Sequence, residues 1–427
     1  MQLKTHSPLN IATTIMIHFE KFELPNGLKV IVNTDTSTPL VAMNILYQVG
    51  ARDEDPSKTG FAHLFEHLMF GGSVNIPSYD EPLQMAGGEN NAFTNNDFTN
   101  YYLTIPTQNI ETAFWLESDR MLSLAFSEKS LEVQRQVVVE EFRQRYLNQP
   151  YGDAWLLLRP LTYKVHPYQW ATIGKEVSHI ENATLQDVKN FFSTWYHPAN
   201  ATLTLSGNIT LQQTRELAEK WFGPIQGKAM SPRNLPVEPN QTEKRTLSVE
   251  REVPYDSVYK CWHSCSRFSP DFYATDLITD ILSGGKSSRL YNALVKDRKI
   301  FTTINAYTMG DLDPSLIVAE GKPAAGISCE DAEAELTSEI EKLIHESVNE
   351  KELNKVKQKV ESGLVFGDMN HASRALNLAY FEMLGDADYA NRQIEFYRNV
   401  SAEQIQKNAR EIFREDNSSV LYYRAKK

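Results

Sequence analysis

The sequence predicts an α+β protein built from two related halves. The chain has 427 residues, more than a single hydrophobic core usually holds. Strand-like and helix-like patterns alternate on both sides of one stretch in which they lapse, and an apolar pattern from the first half returns in the second.

In order along the chain, residues 22–32 alternate around Asn26-Gly27, a pair suited to tight turns, and predict two strands. Residues 40–49 predict a buried third strand. A helix at 61–69 follows, then a short helix at 78–86 ending at Gly87-Gly88, and a strand at 100–105. Residues 112–124 and 127–146 have helical periodicity, and 150–167 read as helix then loop. Helices at 184–195 and 211–222 enclose a strand at 201–206. After residue 223 the pattern dissolves into Pro224, Gly227, Pro232, Pro236 and Pro239, the composition of a linker. The expected division is a disordered extension (1–15), a first domain (16–223), a linker (224–244) and a second domain (245–427). Strands at 245–253 and 258–263 open the second domain. Helices follow at 273–282, 288–296, 331–347, 350–366, 372–384 and 402–413, and a strand at 419–423 ends it.

The second half reads as a degenerate copy of the first. Matching Gly71-Gly72 to Gly284-Gly285 pairs Leu64, Phe65, Leu68 and Met69 with Leu277, Ile278, Ile281 and Leu282. The same match sets His63, Glu66 and His67 against Asp276, Thr279 and Asp280, so the apolar stripe recurs without the polar face. Glu128-Lys129-Ser130-Leu131 similarly returns as Glu350-Lys351-Glu352-Leu353.

The charge balance, 43 basic against 55 acidic residues for a net −12, disfavours nucleic acid as a partner and permits cationic peptides. Cys261, Cys265 and Cys329 are odd in number and lie away from the histidine pair, so they read as reduced thiols in a cytoplasmic protein. The first residues lack the pattern of a signal peptide, and no apolar run is long enough to span a bilayer.

Chemistry concentrates in Gly60-Phe61-Ala62-His63-Leu64-Phe65-Glu66-His67-Leu68-Met69-Phe70-Gly71-Gly72. On a helix, Phe61, Leu64, Phe65, Leu68 and Met69 form one apolar stripe, with His63, Glu66 and His67 on nearly the opposite face. Histidines four apart lie one above the other and can reach one zinc ion, and Glu66 is near enough to handle a proton. The order H-x-x-E-H reverses the H-E-x-x-H arrangement of zinc peptidases. Catalytic zinc usually takes a third protein ligand. Glu140 and Glu141 both qualify, since they follow a run of valines at 137–139, and periodicity does not choose between them.

H-x-x-E-H, the distant acidic helix, and Gly87-Gly88-Glu89-Asn90-Asn91-Ala92-Phe93-Thr94 between them resemble the M16 family of metallopeptidases, the inverzincins related to pitrilysin and insulin-degrading enzyme. The similarity extends through residues 22–28, His166-Pro167-Tyr168 and Tyr196-His197-Pro198-Ala199-Asn200. The length resembles the short-subunit, processing-peptidase-like branch.

The resemblance implies a duplicated architecture, each half an antiparallel-rich mixed sheet packed with helices, in a clam-shaped dimer. It implies that His63, His67 and Glu141 hold one zinc, and that Glu66 is the general base of peptide-bond hydrolysis. Glu141 is preferred because the family's ligand sits six residues after the arginine matching Arg135. It further implies that Asn91, Ala92, Phe93 and Thr94 form an edge strand that pairs with an extended peptide. Where members often carry a second glutamate, this chain has Gln134 beside the metal ligands. Active members or their partners also carry an Arg and a Tyr seven apart that support the oxyanion; here Val295 and Thr302 stand at those positions. A metal-free homologue supplying that pair in a heterodimer is therefore expected, with a homodimer the alternative and Arg289 and Tyr307 nearby substitutes. Mn or Co would suit the same ligands. The competing readings are a non-catalytic peptide-binding or assembly subunit, and a purely structural zinc site.

Overall fold

The computed structural model describes residues 16–230 and 232–426; the expected disordered extension, residues 1–15, lies outside the described residues. Two sheets organise the chain. The first contains β1 (Glu20–Glu23), β2 (Lys29–Thr34), β3 (Leu40–Tyr47), β4 (Glu89–Thr94), β5 (Thr99–Pro106) and β6 (Ala201–Gly207), in the spatial order β1-β2-β6-β3-β5-β4. The second contains β7 (Arg245–Arg251), β8 (Ser257–His263), β9 (Phe301–Thr308), β10 (Leu316–Pro323) and β11 (Ser418–Ala425), in the order β7-β11-β8-β10-β9. From β2 onward the two orders are the same. Each has one parallel pair, β2 with β6 and β7 with β11, and all its other pairs are antiparallel.

The helices repeat as well. The first half holds α1 (Phe61–Leu68), α2 (Asp80–Met85), α3 (Ile110–Leu122), α4 (Glu128–Phe142), α5 (Ala154–Thr162), α6 (Val177–Glu181), α7 (Leu185–Trp195) and α8 (Leu211–Trp221). The second holds α9 (Phe272–Ser283), α10 (Cys329–His345), α11 (Glu350–Gly367), α12 (His371–Met383), α13 (Tyr389–Arg398) and α14 (Ala402–Ile412). By place in the chain, α1 corresponds to α9, α4 to α11, α5 to α12 and α7 to α14.

Four elements escape the sequence pattern: α6, β9, β10 and α13. The side chains of β9 do not alternate cleanly between buried and exposed, because it lies at the sheet edge, and α13 buries only Ala390 and Tyr397. Two expected helices change character: 127–146 is α4 followed by a π-helical turn at Arg143–Leu147, and 288–296 widens into a π-helical turn at Tyr291–Asp297.

The central strands are buried along nearly their whole length, so both faces of each sheet need cover. One face is covered by helices of the same half. The other is covered by exchange. From the first half, α5 sets Ala154 and Leu158 against Tyr259, Val318 and Leu421 of the second sheet. From the second half, α12 sets Leu378 and Phe381 with Ile31, and Ala379 with Leu46 and Phe98, on the first sheet. A polar seam crosses between the halves: Arg52 pairs with Asp97 at 3.2 Å and Asp313 at 2.9 Å, and the Leu312 N–H donates to Asp97.

Among its described residues, the segment 224–244 has neither helix nor strand, yet it is pinned. Glu238 accepts the N–H groups of Lys164, Val165 and His166, and Arg233 pairs with Asp53 at 2.6 Å. No helix of the described residues is long and apolar enough to cross a membrane.

Candidate metal centre

Helix α1 is fixed by its apolar face and by its start. Phe61, Leu64, Phe65 and Leu68 are buried, with Phe65 against the rings of Phe191, Phe192 and Tyr196 on and just after α7. At the helix start Gly60 has φ +87°, and an added Cβ would lie 2.6 Å from the Ile173 carbonyl, so glycine is required there. Glycine offers no capping side chain. The buried Glu54 carboxyl group takes over, its two oxygens accepting the Gly60 and Ala62 N–H groups at 2.9 Å each, and so satisfies donors that a helix start leaves free.

The opposite face presents His63, Glu66 and His67 toward α4. The valine run of α4 resolves into Val138 and Val139 buried and Val137 exposed, which turns Glu141 inward. Glu140 is exposed and bonded to Gln144. The Glu141 Oε2 lies 3.6 Å from His63 Nε2 and 3.3 Å from His67 Nε2. Among the described residues these three form the one cluster able to hold a metal, with ligand atoms within 4.8 Å of one another. Zinc ligands at tetrahedral geometry stand about 3.4 Å apart, so the nitrogen–oxygen spacings fit that ion without rearrangement.

The environment suits ligation. Burial lowers His63 to about 4, which keeps the imidazole neutral, the form that binds metal. The contact with His67 holds the Glu141 carboxyl below its ordinary value. Glu141 Oε1 is also met by Arg145 at 2.9 Å, one turn on. His63 Nδ1 is buried and finds no hydrogen-bond partner among the described residues. Gln134, two turns before Glu141 on the same face of α4, is half-buried and reaches toward Gly71.

Glu66 is partly buried and raised by that burial, while Thr94 Oγ1 donates to its Oε2 at 2.6 Å. Thr94 ends β4, the outermost strand of its sheet. Ala92 N–H is met by the Asn91 Oδ1 at 2.8 Å; it points away from β5, as an edge strand's alternate amides do. Phe93 turns to the other face, against Phe98.

Sequence reasoning missed the bond between Thr94 and Glu66, the Glu54 cap and the Arg145 pair. Only the last had a local signal, a carboxylate and a guanidinium four apart on a helix. The second half has no such cluster among its described residues. Asp280, which stands where His67 does, is paired with Lys359 of α11 at 2.6 Å, and Asp276 accepts the Tyr397 hydroxyl at 2.6 Å.

A His-His-Glu set with a neighbouring carboxylate beside a free sheet edge, on one half of a duplicated fold, defines a metallopeptidase. Comparison with known proteins agrees. Residues 29–156 match the Insulinase (Peptidase family M16) model and residues 182–360 the Peptidase M16 inactive domain. The chain is 29% identical over 417 residues to the zinc protease PqqE of Helicobacter pylori, covering 94% of this chain and 92% of that one. It is 23% identical over 411 residues to the uncharacterized zinc protease YmxG of Bacillus subtilis, covering 94% and 97% respectively. The crystal structure of a protease from Helicobacter pylori superposes with a TM-score of 0.90 at 27% identity, over 96% of this chain and 100% of that one. The chain belongs to peptidase family M16 and is a zinc metalloprotease.

Proposed function

We propose that the chain is an endopeptidase for extended, unstructured peptides, with His63, His67 and Glu141 holding one zinc and Glu66 acting as general base. The observation that carries this is the bond from Thr94 to Glu66, which puts the base beside β4, an edge strand of the first sheet. Zinc at such a ligand set supplies Lewis acidity, polarising the scissile carbonyl and easing loss of a proton from the attacking water. Glu66 takes that proton and delivers it to the leaving amine. β4 positions the peptide backbone through outward amides and carbonyls, so recognition is tolerant of sequence. A purely structural zinc would need a fourth protein ligand, and no other described His, Cys, Asp or Glu joins the cluster.

The reading includes a second, homologous subunit that lacks the metal motif and supplies an Arg/Tyr pair. In support, Val295 packs on the second core and Thr302 bonds the Lys322 carbonyl. The nearby substitutes are engaged too: Arg289 makes a bidentate pair with Glu352, and Tyr307 donates to Glu320. The alternative, a non-catalytic peptide-binding or assembly subunit, draws on the same missing pair.

The test is cleavage of a quenched fluorescent peptide by the purified chain, alone and with a homologue carrying the Arg/Tyr pair. Chelator-sensitive cleavage that requires the homologue and vanishes in Glu66→Gln is expected. Full activity of the chain alone would remove the heterodimer; unaffected Glu66→Gln would remove the base.

A further inference from the structure

A second site lies away from the metal centre. Arg267, in the loop between β8 and α9, is 8% exposed. Its guanidinium carbon sits 4.1 Å from the ring centroid of Phe272, 5.2 Å from Tyr273, 5.5 Å from Phe381 and 5.9 Å from Tyr380. Among the described residues no carboxylate pairs with it. The nearby Asp276 is occupied by the Tyr397 hydroxyl. Arg267 lines a cavity of about 540 Å³, walled by Tyr273, Phe381 and Phe396, with no acidic residue among the lining side chains. Phe268, 59% exposed, stands at the mouth, together with exposed Arg392, which stacks on Tyr389 and Phe396.

The duplicated fold supplies the comparison. Arg52 in the first half and Arg267 in the second occupy the same place: the N–H of each donates to the hairpin that follows, to Asn96 and Asp311 respectively. Arg52 has two carboxylate partners. Arg267 has aromatic faces and an open cavity. Rings offset part of the cost of burying a cation, but they do not supply the opposite charge that a carboxylate would.

We propose that this cavity binds a carboxylate carried on an apolar or aromatic body, its two oxygens on Arg267 and its hydrophobic part against the rings. The guanidinium fork matches a carboxylate bidentately, and the volume is that of an ordinary small-ligand site. A single buried positive charge favours a monoanion. Inorganic phosphate carries no apolar body to set against the Tyr273, Phe381 and Phe396 rings, so it forgoes that part of the binding.

Isothermal titration calorimetry of the full chain with N-acetylphenylalanine, its amide and inorganic phosphate tests the proposal. The acid is expected to bind, with the amide and phosphate at least tenfold weaker. Arg267→Met is expected to weaken the acid at least tenfold, and Glu141→Gln to leave it unchanged. No binding of the acid, equal binding of acid and amide, phosphate as tight as the acid, wild-type affinity in Arg267→Met, or loss in Glu141→Gln would each overturn it. Should Arg267→Met fail to fold, Arg392→Gln at the exposed mouth decides: several-fold weaker binding of the acid supports the site, and unchanged binding overturns it.

Discussion

Thr94 Oγ1 and Glu66 Oε2, 2.6 Å apart, join the edge strand proposed to receive the peptide to the carboxylate proposed as base. Burial raises Glu66 and the Thr94 bond opposes that rise, so removing the bond raises it further. A base must be ionised to act, and activity is lost as pH falls through its pKa. In Thr94→Val the acid limb of the kcat/KM profile is therefore expected to move to higher pH. An unmoved limb would mean that the bond is only structural.

Glu140 and Glu141 are adjacent but face different surroundings. Glu141→Gln is expected to lower zinc affinity by more than about 100-fold, since loss even of a residue supporting a ligand costs 10–100-fold. Glu140→Gln is expected to bind zinc as wild type does. Metal content after dialysis against graded zinc buffers measures both.

Glu54 governs the start of the metal helix. Replacing it with Gln leaves one of the two N–H groups facing a donor, at a cost of about 1–3 kcal/mol. Burial pushes the Glu54 carboxyl up to about 8 from an ordinary 4.5. A carboxyl raised on folding contributes stability that is complete below the unfolded value and lost as pH rises through the folded one. The advantage of wild type over Glu54→Gln is thus expected to shrink between about pH 4.5 and 8, as read from urea unfolding midpoints across that range.

Arg52 is buried between Asp97 of one half and Asp313 of the other. Arg52→Met leaves Asp97, 4% exposed, without its cation, and removal of one partner from a buried pair costs about 3–5 kcal/mol. A lower denaturation midpoint of that size is expected. Arg424→Met, which removes an ion pair with the exposed Glu330, is expected to change stability by less than about 1 kcal/mol.

The legible features were those set by local spacing. The face of α1 follows from helical geometry alone, and the repeat followed from apolar positions that both halves need in order to pack. The choice of Glu141 was not legible from periodicity, because three consecutive valines hide the phase that the exposure of Val137 reveals. Contacts between distant segments were not legible at all. An amphipathic pattern in α5 or α12 says that one face is buried, without saying that it lies on the other half's sheet. The Arg267 cavity is likewise assembled from the β8–α9 loop and the ends of α12, α13 and α14, which no stretch of sequence displays.

The exchange of α5 and α12 has a consequence for how such a duplicated chain can change over time. Because Leu378 and Phe381 cover the first sheet with Ile31, the half without metal is a wall of the half that has it. Its polar positions are free to drift, as Asp280 with Lys359 illustrates, while its sheet and exchanged helix are held by packing. The inert copy can lose its chemistry, but the metal-bearing copy cannot lose the inert one.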